Sequence, residues 1–252
     1  MSDSKNNSFN KSNVSNIENR PLTENGDAFT NAVKKGVKDD KSVVFDVGSN
    51  VGGFAHTFLL EGYSKVHLFE PSPCMLDGSK KRLAEFGDRC VFNQVGVSDQ
   101  KGHLKNVRLL MSWVMCGDGQ KIDLPVSPGA LELQPTTFDT ELITLDEYCE
   151  NIDRMDLLKI DVEGYEYKVL QGAANTIEKF KPIILLELSL FVDKIEKDSI
   201  PKFIDHIYSL EYDVYDQQDM IVSKKRMIKN YPYHTSCDII LYPKTKFCYL
   251  YN

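Results

Sequence analysis

The sequence predicts an α/β fold, a largely parallel sheet with helices on both faces, and three observations carry that reading. Val43-Val44-Phe45-Asp46-Val47 runs straight into Gly48-Ser49-Asn50-Val51-Gly52-Gly53. A continuous β-branched and aromatic run suits a parallel strand covered on both faces, and the glycines let backbone amides approach a ligand at the N-terminus of the helix that follows. A second apolar run, Val66-His67-Leu68-Phe69, ends on Glu70, twenty-four residues after Asp46. An acid ending the second strand can accept hydrogen bonds from both hydroxyls of a ribose, so the pair has the layout of a nucleotide site. From Ser42 onward strand and helix patterns alternate, which implies parallel strands flanked by helices.

Residues 1–20 hold six Asn and five Ser with few large apolar side chains, a composition that does not offset the entropy of ordering. Residues 1–22 are therefore expected to form a flexible tail and residues 23–252 a single domain, ordered from a point between 22 and 41. Residues 53–60 read as a helix with Phe54, Phe58 and Leu59 on one face, ended by Gly62. Leu76, Ser79, Leu83 and Phe86 continue at helical spacing, with Gly87 as a stop. Residues 91–97 read as a third strand, closed by Ser98-Asp99. Residues 102–140 then break the alternation, because Gly117, Gly119, Pro125, Pro128, Gly129 and Pro135 interrupt short extended runs. This stretch reads as loops with a β hairpin, an insertion expected to serve as a substrate wall or lid. Its Trp113 is expected either to plug the underside of a loop or to stack on a substrate ring.

Alternation resumes at residues 155–160, a strand ending at Asp161. A helix follows with Val169, Leu170, Ala173, Ile177 and Phe180 on its core face. Residues 183–188 form a fifth strand carrying Glu187 near its end, and Pro201 opens a helix that turns Phe203, Ile204, Ile207 and Leu210 inward. Residues 212–215 and 237–242 supply the last two strands.

Composition narrows the function classes. At 252 residues, 42% hydrophobic and 27% charged, the chain has the make-up of a soluble globular protein with a substantial core. No apolar run approaches the roughly 18 residues of a membrane span, and residues 1–20 lack the apolar stretch of a signal peptide, so a cytoplasmic location is expected. Six cysteines without a Cys-x-x-Cys pair read as reduced thiols rather than a zinc site or disulfide framework. A net charge of −7 argues against a nucleic-acid partner. Lys224-Lys225-Arg226 with Lys229 reads as a solvated loop, or as a local contact for an anionic substrate.

Asp46, Glu70, Ser98, Asp99, Asp161, Glu163 and Glu187 all fall at or just past strand ends, the edge where open α/β sheets bind ligands. Here the chain resembles a family. Phe45-Asp46-Val47-Gly48-Ser49-Asn50-Val51-Gly52, Phe69-Glu70-Pro71-Ser72-Pro73, Thr144-Leu145-Asp146, Leu158-Lys159-Ile160-Asp161-Val162-Glu163-Gly164-Tyr165-Glu166 and Leu170-Gln171-Gly172-Ala173 are similar to successive motifs of the FkbM-type S-adenosylmethionine-dependent methyltransferases. The resemblance covers residues 42 to about 215, and the first turn is Asp-x-Gly-x-x-x-Gly rather than the Gly-x-Gly-x-x-Gly of a dinucleotide site.

The resemblance implies a Rossmann-like class I methyltransferase fold, a seven-stranded sheet with its last strand antiparallel, and O-methylation of a hydroxyl on a sugar, glycan or small metabolite. It places Asp46, Gly48, Asn50 and Gly52 around the methionyl part of the cofactor, Glu70 on the ribose, Gly96 to Asp99 (with Ser98) near the adenine, and Asp161 beside the sulfonium and incoming oxygen. Family members often follow the fifth-strand acid with histidine, whereas Leu188 and Ser189 stand here. The expected proton acceptor is Asp161, Glu163 or Glu187, with His234 as a late candidate. The same three carboxylates could instead hold Mg²⁺. Three other readings are kept open: a nicotinamide-dependent oxidoreductase, a non-catalytic S-adenosylmethionine-binding protein, and RNA methylation, which the acidic charge disfavours.

Overall fold

The computed structural model describes residues 22, 27–109, 115–116, 137–189, 191–231 and 236–244. Trp113, His234 and the expected 1–20 tail lie outside the described residues. In chain order the elements are α1 (Ala28–Lys35), β1 (Val43–Val47), α2 (Gly53–Leu60), β2 (Lys65–Phe69), α3 (Pro73–Arg82), β3 (Cys90–Asn93), β4 (Gly96–Val97), β5 (Gly102–Leu109), β6 (Met115–Cys116) and β7 (Phe138–Ile143). They continue with α4 (Leu145–Tyr148), β8 (Leu157–Ile160), α5 (Glu166–Gln171), α6 (Ala174–Phe180), β9 (Ile183–Leu188), α7 (Val192–Ile195), α8 (Ile200–Ser209), β10 (Tyr212–Asp216), α9 (Lys224–Asn230) and β11 (Cys237–Pro243).

Seven strands form one sheet in the order β10-β11-β9-β8-β1-β2-β3. Each neighbouring pair is parallel except the two made by β11, which runs antiparallel to β9 and β10. The expected seven-stranded, mostly parallel sheet is therefore what the chain forms. Its strands are apolar on both sides because each side is covered. Phe45 and Val47 of β1 join Leu158, Ile160, Val169 and Phe203 in one core, while Val44 joins Leu157, Leu185, Phe58 and Tyr63 in the other. The chain runs outward from β1 to β3 and then returns to β8 on the other side of β1, so the winding reverses at β1. In such sheets a ligand crevice opens at the carboxyl ends of the strands flanking that point.

Several local expectations are corrected. The run 91–97 is two strands: β3 stays in the main sheet, while β4 pairs with β7 in a second, four-stranded sheet of order β4-β7-β5-β6. The partners change at Gln94-Val95, because the Asn93 carbonyl is taken by Glu70 N (3.1 Å) and Ser98 N turns to Ile143 O (2.9 Å). The expected hairpin character is present, with β5 antiparallel to β6 and β7.

The helix read across 169–180 breaks at Gly172-Ala173 into α5 and α6. Gly172 packs so closely on the Ser98 carbonyl that a Cβ would overlap it, and Asp146 caps the new N-terminus by accepting from Asn175 N (3.1 Å) and Thr176 N (2.8 Å). Arg226 belongs to neither a solvated loop nor a substrate contact. It is fully buried in α9, paired with Asp216 at 2.6 Å. Among the described residues no helix is long and apolar enough to cross a membrane.

Candidate active site

The turn after β1 is the foundation of the site. Gly48 has φ +76° and lies against the end of β8, where any Cβ would overlap the Asp161 carbonyl oxygen. Only glycine meets both demands. Gly48 N and Ser49 N donate to the Phe69 carbonyl at 3.0 and 3.1 Å, so these two amides staple the turn onto β2 instead of facing a ligand. Asn50 follows at φ +49°, a left-handed conformation asparagine tolerates, and its N–H donates to Glu70 Oε2 at 2.9 Å. Ser72 N donates to Glu70 Oε1 at 2.8 Å. Burial raises the Glu70 carboxyl to about 7 against the pull of these two donors. Each oxygen keeps a lone pair for one further donor, which suits a diol.

A cavity of about 310 Å³ opens over this turn. Gly48, Ser49, Asn50, Phe69 and Glu70 form one side, the second sheet supplies Leu104, Val107, Thr140 and Leu142, and Val95 to Val97 lie between. At its wall the Ser49 hydroxyl is buried without a hydrogen-bond partner, a group awaiting an acceptor or donor from a ligand. Phe54 also lines the cavity, 40% exposed, with its ring stacked 6.3 Å from that of Phe58 on the same helix.

Beneath the cavity sits Lys159, in the middle of an apolar strand and only 3% exposed. Its ammonium donates to Gly48 O at 2.8 Å and lies 3.3 Å from Asp46 Oδ1 and 3.2 Å from Asp161 Oδ2. Burial alone would lower its pKa, but the two carboxylates win and hold it above the ordinary lysine range, so it stays charged. Burial pushes the Asp46 carboxyl up, and Lys159 opposes that push. Asp46 is wholly buried, does not line the cavity, and meets Lys159 below it.

After Asp161 the chain turns through Glu163 at φ +55° and Gly164 at φ +111°. A non-glycine residue there is uncommon and marks a turn held by its surroundings. Glu166 supplies that hold, because its fully buried carboxylate accepts from Val162 N and Gly164 N at 3.0 Å each. Asp161, Glu163 and Glu187 converge, each offering an oxygen within 4.8 Å of the others. Burial, with Asp161 and Glu166 adding repulsion, raises Glu163 to about 8. Burial and the neighbouring carboxylates also raise Glu187 well above the ordinary range.

Gly48, Asn50, Glu70, Asp161 and Glu163 thus line one cavity, with Glu187 beside it. Gly52 shapes the start of α2 at φ +74° without lining the cavity. Gly96 and Val97 line it, but Ser98 and Asp99 do not. Ser98 Oγ donates to Asp99 Oδ1 at 2.9 Å, and Asp99 pairs with Lys168 at 3.3 Å, tying the chain to α5. Sequence reasoning missed Ser49, Glu166 and above all Lys159, although a lysine inside Leu157-Leu158-Lys159-Ile160 was an available signal, since lysine is almost never fully buried unless paired.

A 3-2-1-4-5-7-6 order for the main sheet, counting its own strands, with a glycine cradle and an acid-tipped second strand at the reversal point, is the class I methyltransferase architecture. The chain belongs to the FkbM family of S-adenosylmethionine-dependent methyltransferases, its residues 46–216 matching the model of the Methyltransferase FkbM domain. It is 26% identical over 178 residues to the hexuronic acid methyltransferase AglP of Haloferax volcanii, a match covering 69% of this chain and 66% of that protein. It is 28% identical over 156 residues to the 2-O-methyltransferase NoeI of Sinorhizobium fredii, covering 54% of this chain and 59% of that one. The chain thus spans somewhat less than two thirds of the length of each of these relatives. The structure resembles the methyltransferase FkbM of Methylobacillus flagellatus with a TM-score of 0.50 at 15% identity, over 81% of this chain and 44% of that one. The unpartnered Ser49 hydroxyl and the spare lone pairs of Glu70 fit S-adenosylmethionine as the cofactor.

Proposed function

We propose that this chain methylates a hydroxyl oxygen of a sugar or glycan, with Asp161 at the point of transfer. The carrying observation is that Asp161 lines the cavity with its backbone against Gly48 and its carboxylate steadied by Lys159. The sugar acceptor is supported by the activities named for AglP and NoeI. S-adenosylmethionine supplies an electrophilic methyl on a sulfonium, whose C–S bond breaks as the C–O bond forms, the bonding pair leaving with sulfur. The chain's own work is alignment and proton removal. Glu70 would hold the ribose and the Ser49 hydroxyl the methionyl end, while Leu104, Val107 and Leu142 exclude water. The hydroxyl proton passes to a carboxylate of the Asp161, Glu163 and Glu187 group. The net charge of −7 supports an acceptor other than nucleic acid, and the free thiols of Cys74, Cys90, Cys149 and Cys237 fit a cytoplasmic setting.

Incubation with labelled methyl donor and a panel of glycosides tests the reading. Label should enter an O-methyl sugar, and binding of donor without transfer to any hydroxyl acceptor would sink it. In one variant mechanism Asp161, Glu163 and Glu187 would hold Mg²⁺, which would lower the pKa of the acceptor hydroxyl. Under that variant EDTA abolishes turnover and Mg²⁺ restores it. Turnover unchanged by EDTA leaves proton transfer to carboxylate alone.

The role of Glu70 is open to direct measurement. Glu70→Ala is expected to weaken S-adenosylmethionine binding more than tenfold, since charge-assisted hydrogen bonds to a diol are worth about 1.5–3 kcal/mol. With its carboxyl raised to about 7, Glu70 gains a proton as the pH drops and loses acceptor capacity. Wild-type affinity should therefore fall between about pH 8 and pH 6, approaching tenfold per unit below the pKa. Glu70→Gln should be weaker and flat across that range in calorimetry. A wild-type profile equally flat would remove Glu70 from the ribose.

A further inference from the structure

We propose that Phe54 is the platform on which the acceptor sugar stacks one face of its ring, held in place by Phe29 of α1. The proposal rests on the methyl-transfer reading above and adds a specificity-determining residue to it. Of the aromatic side chains lining the cavity, Phe69 is buried in the core and Tyr165 is half-buried, whereas Phe54 is exposed. The other large apolar residues left exposed among those described, Val37, Leu60, Ile221 and Ile228, line no part of it. A bare phenyl ring at the opening of a cavity keeps apolar surface in water until a ligand covers it.

The ring is fixed before anything binds. Phe29 packs against it at 4.9 Å, inclined by 48°, Phe58 lies 6.3 Å away, and the Lys159 ammonium stands over it at 5.1 Å. Phe29 is itself anchored, because its N–H and that of Ala28 donate to the side chain and the carbonyl of the buried Gln217, both at 3.2 Å. A side chain held in this way loses little freedom on binding. Since α1 precedes residues 46–216, the brace comes from outside the part of the chain that matches the family domain.

Position and chemistry select the occupant. Phe54 and Asp161 share Lys159 as a neighbour, 5.1 Å from the ring centre and 3.2 Å from a carboxylate oxygen, which puts the ring beside the point of transfer. Glu70 ends β2, on the other side of β1 from Lys159 in β8. A ligand that meets both an aromatic face and carboxylates has to be apolar on one surface and rich in hydroxyls at its rim. A pyranose is built that way, with axial C–H groups gathered on a face and equatorial hydroxyls pointing outward. An alkyl chain would cover the ring but leave the carboxylates unmatched.

Kinetics with the glycoside methylated best in the panel above test the proposal. Phe54→Leu keeps the site apolar but removes the flat face, and is expected to raise the acceptor KM about tenfold with kcat within about threefold. Phe54→Tyr should keep the wild-type KM, and Phe29→Leu should raise it about threefold by loosening the ring. S-adenosylmethionine affinity should stay within about twofold in each variant. An unchanged KM in Phe54→Leu would overturn the proposal. So would S-adenosylmethionine binding weakened as much as acceptor binding, which gives the ring to the cofactor, or a fall in kcat alone, which makes it a support for Lys159 and Asp161. If no glycoside is methylated, the methyl-transfer reading fails, and saturation-transfer NMR decides the platform separately. The probes are the methyl β-glycosides of glucose, galactose and N-acetylglucosamine, offered to protein saturated with S-adenosylhomocysteine. Transfer to axial ring protons, lost in Phe54→Leu and kept in Phe54→Tyr, would keep the platform. No transfer, or equal transfer in Phe54→Leu, would overturn it.

Discussion

Asp161→Asn is expected to lower turnover by about a hundredfold or more while leaving S-adenosylmethionine affinity within about twofold. The residue ends β8, lines the cavity, and has one carboxylate oxygen 3.2 Å from Lys159. Asparagine keeps the volume but gives up the charge, so the acceptor hydroxyl loses a proton acceptor worth about 10² to 10⁴ in rate. A hundredfold corresponds to about 2.7 kcal/mol of transition-state stabilisation. The fold should survive, because Lys159 keeps Asp46 and the Gly48 carbonyl as partners. Single-turnover kinetics on donor-saturated enzyme separate the outcomes. A loss confined to the chemical step supports the assignment, whereas normal turnover with the true acceptor would move the proton acceptor to Glu163 or Glu187.

The second large effect is on stability. Lys159→Met is expected to cost about 3–5 kcal/mol, the usual result of removing one partner from a buried ion pair. Asp46 is fully buried and lies 3.3 Å from the ammonium, so the substitution strands a carboxylate inside the sheet, and Asp161 also loses its cationic neighbour. For a domain of this size the melting temperature should drop on the order of 10 °C. Adding Asp46→Asn to Lys159→Met should recover a large part of the loss, because the stranded charge goes with it. A double variant no more stable than Lys159→Met would mean that the ammonium acts through Gly48 O rather than by neutralising Asp46.

The legible parts of this protein share one property, that the signal is local. The apolar runs of β1, β2, β8 and β9 announce strands covered on both faces, and Glu70 and Asp161 stand at their ends in sequence as in space. The missed parts depend on partners far along the chain. Residues 91–97 read as one strand because nothing within them shows that Ser98 N will find Ile143 O. The break in the helix at Gly172 is set by the Ser98 carbonyl and by capping from Asp146. Arg226 looks like part of a basic surface run until Asp216 is seen beside it.

By itself, then, the sequence determined the fold class, the glycine turn and the acids at the strand ends, because hydrophobic periodicity and backbone conformational demands act over a few residues. Only the tertiary structure decided which of those acids share a cavity, which are taken up in packing, and which cation stands among them. Asp46 and Asp161 are 115 positions apart in number yet meet one ammonium, and Ser98 and Asp99 turn away to hold α5. Coulomb and hydrogen-bond terms depend on separation in space and on the water excluded around each group. Neither distance nor exclusion exists until the sheet has brought the ends of β1, β2, β8 and β9 together.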